Sequence, residues 1–211
     1  TENDLSNDLK DKIALFCNVR REAVIQSIDV DTIYDVPLKM LEEGLNKVVI
    51  KKLNLKPDCE PNLEQWKSFL KKYKNPKKSI DIALVGKYVE LQDSYKSILE
   101  SLIHAGAQNE VEVKVKSVHS EHLEKEKSND LLDGFNGIIV APGFGERGIE
   151  GKIKAITFAR EKNIPFFGIC LGMQMAVIEY ARNVLNFREA NSTEINEKSK
   201  YPVIDLMEDQ K

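Results

Sequence analysis

The sequence predicts an α/β protein with a doubly wound, mostly parallel sheet, preceded by a smaller segment and a linker. Two observations predict this class. From residue 80 onward, short, largely apolar strands alternate with helices of about 10 to 15 residues, and two of the strands are apolar throughout. Two of the strands also end in glycine-rich turns followed at once by a helix. A sheet of this kind has helices on both faces and binds its ligands beyond the carboxyl ends of its strands.

The elements of this part follow from their hydrophobic periodicity. The predicted strands cover residues 80–85, 111–118, 137–140 and 165–169. The predicted helices cover residues 94–105, 121–132, 149–162 and 172–183. Strands and helices therefore alternate along residues 80–211, which we predict to be one domain.

Residues 1–79 carry weaker signals. A helix is predicted over 6–16, a short strand over 24–28, and a helix over 37–44, with proline at its start and glycine at its end. These elements are too few to close a sheet, so residues 1–55 are predicted to be one end of a larger domain. Residues 56–79 are predicted to be a linker with one helix over 63–70, which packs on a neighbour through Trp66.

Composition excludes several classes of protein. The 211 residues carry a net charge of −3, which does not favour nucleic acid or an anionic membrane as a partner. There is no apolar run of 18 residues and no signal peptide at the polar N-terminus, so we expect no membrane partner. The three cysteines show no paired spacing, which is typical of a reducing compartment. We therefore expect a cytoplasmic protein without a metal site in this chain.

The strongest motif is Gly-Ile-Cys-Leu-Gly-Met-Gln at residues 168–174, where an apolar strand meets a helix. This is a nucleophile elbow with cysteine as the nucleophile, and the flanking glycines let the chain pass close to itself. Cys170 would lie at a helix N-terminus, which favours its thiolate, and the N–H of Leu171 would face a developing oxyanion. The alternative is a small buried cysteine, which the two glycines disfavour. Cys17 and Cys59 lack this context, and we predict no role for them.

Two further segments are candidates for the same site. Residues 140–148 form a second glycine-rich loop after a strand, from which Gly143 can supply another oxyanion N–H. The loop is not a Walker loop, because no Gly-Lys-Ser/Thr follows at the required spacing. Residues 190–194, Ala-Asn-Ser-Thr-Glu, are by composition an ordinary loop.

The motif at 168–174 resembles that of the class I (triad) glutamine amidotransferases. Residues 84–97, 158–174 and 190–194 are similar to one branch of that family, in which a synthetase domain uses the ammonia to aminate a nucleotide. Residues 13–19 and 29–37 are similar to the last stretch of that synthetase domain.

The resemblance implies roles for individual residues. Cys170 would attack the side-chain amide of L-glutamine, release ammonia and form a glutamyl thioester. Gly143 and Leu171 would donate to the oxyanion, while Gln174 and Glu194 would hold the substrate. The remaining residues of the predicted glutamine site are Phe144, Gly172 and Met173.

The resemblance also implies partners. The full enzyme would use UTP, ATP, GTP and Mg²⁺ and would be a homotetramer, with Asp29 and Val30 as a weak nucleotide-binding candidate and no cofactor bound in this chain.

The sequence departs from the family pattern in two places. The family's loop pattern Pro-Gly-Gly-Phe-Gly is replaced here by Ala-Pro-Gly-Phe-Gly, which keeps Gly143. The catalytic His and Glu of the family lie further downstream, so the resemblance implies that this chain alone hydrolyses glutamine very poorly. The three histidines match no family motif and are expected to be structural or exposed; they are His104, His119 and His122.

Two alternatives remain open at this point. The chain could belong to another elbow-cysteine enzyme, such as a γ-glutamyl hydrolase or an amidotransferase that serves a different synthase. Residues 29–37 argue against a stand-alone hydrolase, which has no need of them. It could also be a non-catalytic α/β module in assembly or redox sensing, with Cys170 merely oxidisable. Protection of Cys170 by glutamine would separate a catalytic site from a sensor.

Overall fold

The computed structural model describes residues 2–56, 60–89, 91–125, 128–207 and 209. The chain forms two compact units, Thr1–Lys71 and Lys72–Lys211, which are described separately. None of the helices within the described residues is long and apolar enough to cross a membrane. The predicted domain limits at residues 55 and 79 stay predictions.

The first unit is built from helices. They are α1 (Asn7–Phe16), α2 (Val36–Glu42), α3 (Leu45–Lys52) and the larger part of α4 (Glu64–Lys74). The side chain of Ser6 caps α1 by accepting a hydrogen bond from the N–H of Leu9 at 3.3 Å. Gly44, with φ of +78°, turns the chain between α2 and α3. The predicted helices are confirmed, whereas α3 was missed because its run Val-Val-Ile is equally typical of a strand.

The strand predicted over 24–28 is wrong. These residues have no regular secondary structure, and local side chains satisfy the polar groups at the centre of the segment. The N–H of Gln26 donates to Oε2 of Glu43 at 3.2 Å, and Oε1 of Gln26 accepts from the N–H of Leu5 at 3.0 Å. A β-branched stretch forms a strand only beside a partner strand, and the described part of this unit contains none.

The helix predicted over 63–70 is confirmed as α4. Its indole, on Trp66, lies 5.9 Å from the ring of Tyr34, and Nε1 donates to the carbonyl of Tyr34 at 2.8 Å. Phe69 packs edge-on against the same tyrosine at 5.1 Å. This aromatic cluster buries Tyr34 and anchors the start of α4 in the first unit.

The second unit contains a four-stranded parallel sheet. Its strands are β1 (Lys78–Gly86), β2 (Val111–His119), β3 (Gly137–Val140) and β4 (Phe166–Gly168), in the order β2-β1-β3-β4. The register pairs Val85 with Val118 and Val140, and Val140 with Gly168. The carboxyl ends of all four strands therefore meet at one edge, where the sequence places its candidate site.

Helices cover both faces of this sheet. Ala83, Val85 and Val140 belong to the core that packs against α6 (Ile149–Glu161) and α7 (Leu171–Asn183). The alternate residues Leu84 and Ile139 belong to the core that includes side chains of α5 (Lys96–Gln108). The prediction of a doubly wound parallel sheet is confirmed.

Two local predictions in this unit need correction. The helix predicted over 121–132 is wrong, because the chain forms short 3-10 helices at Ser120–Glu124 and Ser128–Leu132, with residues 126–127 outside the description. Among the residues of this stretch whose burial is described, Leu123 and Leu132 are buried, and the polar sequence between them has no apolar face that would hold a continuous helix. The loop predicted at 190–194 contains strand β5 (Ala190–Ser192), which pairs in parallel with β6 (Tyr201–Ile204) and packs on α7.

Candidate active site

The backbone is strained at Cys170, between β4 and α7. This residue has φ of +52° and ψ of −109°, outside the regions that a side-chain-bearing residue normally occupies. Such strain costs about 1–3 kcal/mol and persists only where the surrounding structure enforces it. The turn leaves Cys170 exposed at the carboxyl edge of the sheet.

The flanking glycines make this turn possible. A Cβ on Gly168 would lie 2.6 Å from the carbonyl carbon of Gly172 and 2.7 Å from the N of Met173. A Cβ on Gly172 would overlap the carbonyl oxygen of Val140. Both obstacles are backbone atoms, which cannot rotate aside. The steric explanation of the motif is therefore confirmed by the geometry.

The elbow also exposes backbone donors. The carbonyl of Cys170 accepts from the N–H groups of Met173 and Gln174 at 3.0 and 3.1 Å, so α7 starts directly at the cysteine. Leu171 is the first residue of α7, and the N–H of a first helical residue has no partner within its helix. That N–H and the positive end of the helix dipole lie next to the sulfur, where they favour an anion.

The second glycine-rich loop adjoins the elbow. A Cβ on Gly143 would lie 3.6 Å from Cδ2 of Leu171, so the two loops are in contact range. Proline has no N–H, so Pro142 cannot donate and Gly143 carries the first amide of the loop beyond it. Phe144, the next residue, is 77% exposed.

Two buried lysines approach this loop, and the sequence analysis missed both. Nζ of Lys152, a residue with no exposed surface, donates to the carbonyl of Ala141 at 2.8 Å. Nζ of Lys87, which is 7% exposed, donates to the carbonyl of Phe144. A signal for Lys152 is present in the sequence, since it lies on the apolar side of α6 between Ile149 and Ile156.

The other predicted binding residues are distributed over two elements. Gln174 lies on the first turn of α7, and its Oε1 is buried without a hydrogen-bond partner among the described residues. Gly172 is buried in the elbow, and Met173 beside it is half exposed. Glu194 follows β5, where its N–H donates to Oγ of Ser192 at 3.2 Å and its side chain is exposed. The structure thus brings Cys170, Leu171, Gly143 and Gln174 together, and places Glu194 on the small sheet beside α7.

The remaining candidates lie elsewhere. His119 is the last residue of β2 and His122 follows it, with ring centroids 5.0 Å apart, at one edge of the sheet, whereas Cys170 follows β4 at the other edge. Three strand spacings of about 4.8 Å place these ends roughly 14 Å apart. His104 lies on α5, which packs on β2. Cys17 is exposed at the end of α1, and Cys59 falls outside the described residues.

The nucleotide-binding candidates lie in the first unit. Asp29 is exposed and Val30 is half-buried, in a stretch without regular secondary structure. Their predicted role stays a prediction. Within the described ranges, no group of three or more His, Cys, Asp or Glu side chains is arranged to hold a metal ion.

A strained cysteine elbow at the carboxyl edge of a parallel sheet, with a glycine-rich loop beside it, defines the class of α/β enzymes that use a cysteine nucleophile. The particular family follows from comparison with known proteins. The family model described as glutamine amidotransferase class-I matches residues 90–209, and the chain belongs to this family. A second model, described as CTP synthase N-terminus, matches residues 1–55.

Relatives match the whole chain. It is 66% identical to the CTP synthase of Flavobacterium psychrophilum and 54% identical to that of Methanocaldococcus jannaschii. The match covers 100% of this chain in both cases, but only 39% and 40% of those proteins, so the chain spans about two fifths of their length. Among solved structures, it is similar to the glutaminase domain of Trypanosoma brucei CTPS with bound acivicin. The TM-score is 0.60 and the identity 41%, over 63% of this chain and 52% of that one.

Proposed function

We propose that this chain is part of a CTP synthase and carries the nucleophile half of its glutaminase site. Two observations support this assignment. The two family models match in sequence order, with the CTP synthase N-terminus first and the amidotransferase second. The second observation is the strained backbone of Cys170, which two glycines make possible and which lies beside the Gly143 loop. It is the main support for the proposed chemistry.

The proposed reaction is acyl transfer from L-glutamine to Cys170. The sulfur attacks the carbonyl carbon of the side-chain amide and forms a C–S bond. The oxygen becomes an oxyanion, to which the N–H groups of Leu171 and Gly143 donate. The C–N bond then breaks, and the nitrogen leaves as ammonia with the proton that the thiol of Cys170 gave up. Water hydrolyses the resulting glutamyl thioester to glutamate and restores the thiol.

The substrate pocket would use residues on both sides of the elbow. Gln174 has a buried Oε1 that accepts no hydrogen bond from any described residue, which suits an N–H donor from the substrate. Glu194 supplies a carboxylate that would pair with the α-ammonium group of glutamine. The proposed walls of the pocket are Phe144, Gly172 and Met173.

The synthetase reaction belongs to the proposal for the whole protein. The ammonia would aminate UTP at the expense of ATP and give CTP, in a cytoplasmic homotetramer that also binds GTP. Asp29 and Val30 would lie near the nucleotide. Mg²⁺ would belong to this synthetase reaction of the whole protein.

Covalent labelling with acivicin tests the glutaminase proposal. The chain is incubated with acivicin, with and without excess L-glutamine, and its intact mass is measured. We expect one adduct, located on Cys170 by peptide mapping, which glutamine suppresses and which a Cys170→Ser variant lacks. Labelling shared equally with Cys17, or unaffected by glutamine, would contradict the proposal and favour a merely reactive thiol.

A further inference from the structure

Lys152 is buried next to the site, although the proposed reaction gives it no role. It has no exposed surface and lies on the buried face of α6, together with several isoleucines. A buried ammonium group is costly unless its environment compensates for lost water. Burial, together with the positive charge of Lys87, lowers the pKa of Lys152 to about 8, and the charge of Cys170 opposes this shift.

Two residues on neighbouring elements influence the charge of Lys152. The groups that act on it electrostatically are Lys87, which follows β1, and Cys170, which precedes α7. The acids on elements beside α6 are engaged elsewhere, since Glu121 pairs with an arginine at 3.0 Å and Glu179 with another at 2.9 Å.

Lys152 also holds the second loop. Its Nζ donates to the carbonyl of Ala141, two residues before Gly143, and Lys87 donates to the carbonyl of Phe144, one residue after it. A Cβ on Gly143 would lie 3.3 Å from Nζ of Lys152. Two ammonium groups therefore fix the backbone on both sides of Gly143, the amide proposed to donate to the oxyanion.

We propose that Lys152 is a positioning residue of the glutaminase site, which holds the Gly143 loop in place through its hydrogen bond to the carbonyl of Ala141. This inference rests on the proposed function, because it assigns Lys152 to the same site. Displacement of the loop weakens the reaction of Cys170 with a glutamine analogue, which needs the amide of Gly143, but not its reaction with a small electrophile that needs no such donor.

The test compares the labelling of Cys170 by acivicin with its alkylation by iodoacetamide in the intact 211-residue chain. The variant is Lys152→Met, which keeps the length of the side chain but removes the donor to the carbonyl of Ala141. Lys154→Met, an exposed lysine of the same helix, is the matched control, and Cys17 is the internal reference in peptide mass spectrometry. We expect the rate with acivicin to fall about 10-fold or more in Lys152→Met, because a displaced loop no longer aims the amide of Gly143 at the reacting group, while the rate with iodoacetamide stays within about twofold. The Lys154→Met control should change neither rate.

An unchanged acivicin rate in Lys152→Met, or an equal fall with acivicin and with iodoacetamide, would overturn the inference. If Lys152→Met does not fold, Lys152→Gln replaces it, since its side chain is too short to hold the carbonyl of Ala141 from the same position, and it is expected to show the same fall with acivicin alone. The two proposals fail in different ways. If acivicin does not label Cys170 in the parent chain, the glutaminase proposal is contradicted; if acivicin labels the parent chain and Lys152→Met at the same rate, only the role of Lys152 is contradicted.

Discussion

At the scale of single residues, the site depends on two glycines without side chains and on one buried, charged lysine. Glycine is the only residue type that leaves room for the turn at Cys170 at positions 168 and 172, because a Cβ at either position would meet backbone atoms. Lys152 is the opposite case, a long charged side chain enclosed by the core. Both features cost stability that a purely structural segment would not need to give up.

The first prediction concerns Gly172. We expect Gly172→Ala to lower the free energy of unfolding by at least about 3 kcal/mol, because the new Cβ overlaps a backbone carbonyl that cannot move aside. Gly134→Ala is the control, since Gly134 has φ of +84° but open space around it, and its cost is about 1 kcal/mol. Urea unfolding followed by circular dichroism measures both. Equal destabilisation by the two variants would mean that the elbow is not sterically enforced.

A second prediction follows from the lowered pKa of Lys152. The unfolded chain binds the lysine proton up to about pH 10.5, whereas the folded chain releases it near pH 8, so this group makes folding more favourable as the pH rises between these values. Lys152→Met removes that dependence. The difference in free energy of unfolding between Lys152→Met and the parent chain should therefore change by about 2–3 kcal/mol across this window. A constant difference would show that the lysine titrates normally in the fold.

At the scale of secondary-structure elements, α6 and α7 are joined by a polar network as well as by the apolar core. Glu179 on α7 is almost fully buried and accepts two hydrogen bonds from Nε and Nη2 of Arg160 on α6, at 3.1 and 2.9 Å. Asn183 and Thr157 donate to the same carboxylate at 3.1 Å each. Burial raises the pKa of Glu179, but the hydrogen bonds from Arg160, Asn183 and Thr157 outweigh it and hold the pKa below 4.5.

The third prediction concerns acid stability. A carboxylate with a lowered pKa stabilises the fold above its unfolded-state value and loses this contribution as the pH falls below about 4.5. We expect Glu179→Gln to lose about 1–3 kcal/mol at neutral pH and to flatten the acid limb of the stability curve. Glu161→Gln, at an exposed carboxylate 3.8 Å from the same arginine, should change little. Denaturant titrations at several pH values measure this, and an unchanged acid limb in Glu179→Gln would contradict the assignment.

Elements were predictable from sequence to the extent that their hydrophobic pattern was long and unbroken. Strand β3 and the second half of β1 are apolar because both faces are covered there, and α6 and α7 follow strands that end in glycine-rich turns. The strands β5 and β6 have only three and four residues, too short for a periodic signal. The segment at 24–28 had the composition of a strand but no partner to pair with.

At the scale of the whole molecule, the strand order decides which residues can meet. Cys170 and the Gly143 loop follow the adjacent strands β4 and β3, whereas the histidine pair follows β2 at the far edge. Sequence patterns identified the elbow and the loop because both carry local glycine signals. They did not identify the lysines: the position of Lys152 on the apolar side of α6 is a signal of burial, but the carbonyls that the two lysines bind are known only from the fold.

The fourth prediction follows from this order. A variant with all three histidines replaced by glutamine should react with acivicin at Cys170 within about twofold of the parent rate, because they lie at the end of β2, just after it or on the helix that packs on it, whereas Cys170 follows β4 at the opposite edge of the sheet. The variant combines His104→Gln, His119→Gln and His122→Gln. Circular dichroism serves as the control for folding. A tenfold or larger fall in rate in a folded variant would show that one of these histidines acts as the base.

The central claim is that Cys170 faces a glutamine site shared with the neighbouring loop and the small sheet. A crystal structure of the acivicin-treated chain tests this most directly. We expect continuous electron density from Sγ of Cys170 to the ligand, with the ligand's amino-acid end beside Gln174 and Glu194 and the N–H groups of Leu171 and Gly143 pointing at its reacting end. An adduct on another residue, or a ligand whose amino-acid end lies in solvent away from Glu194, would contradict the account.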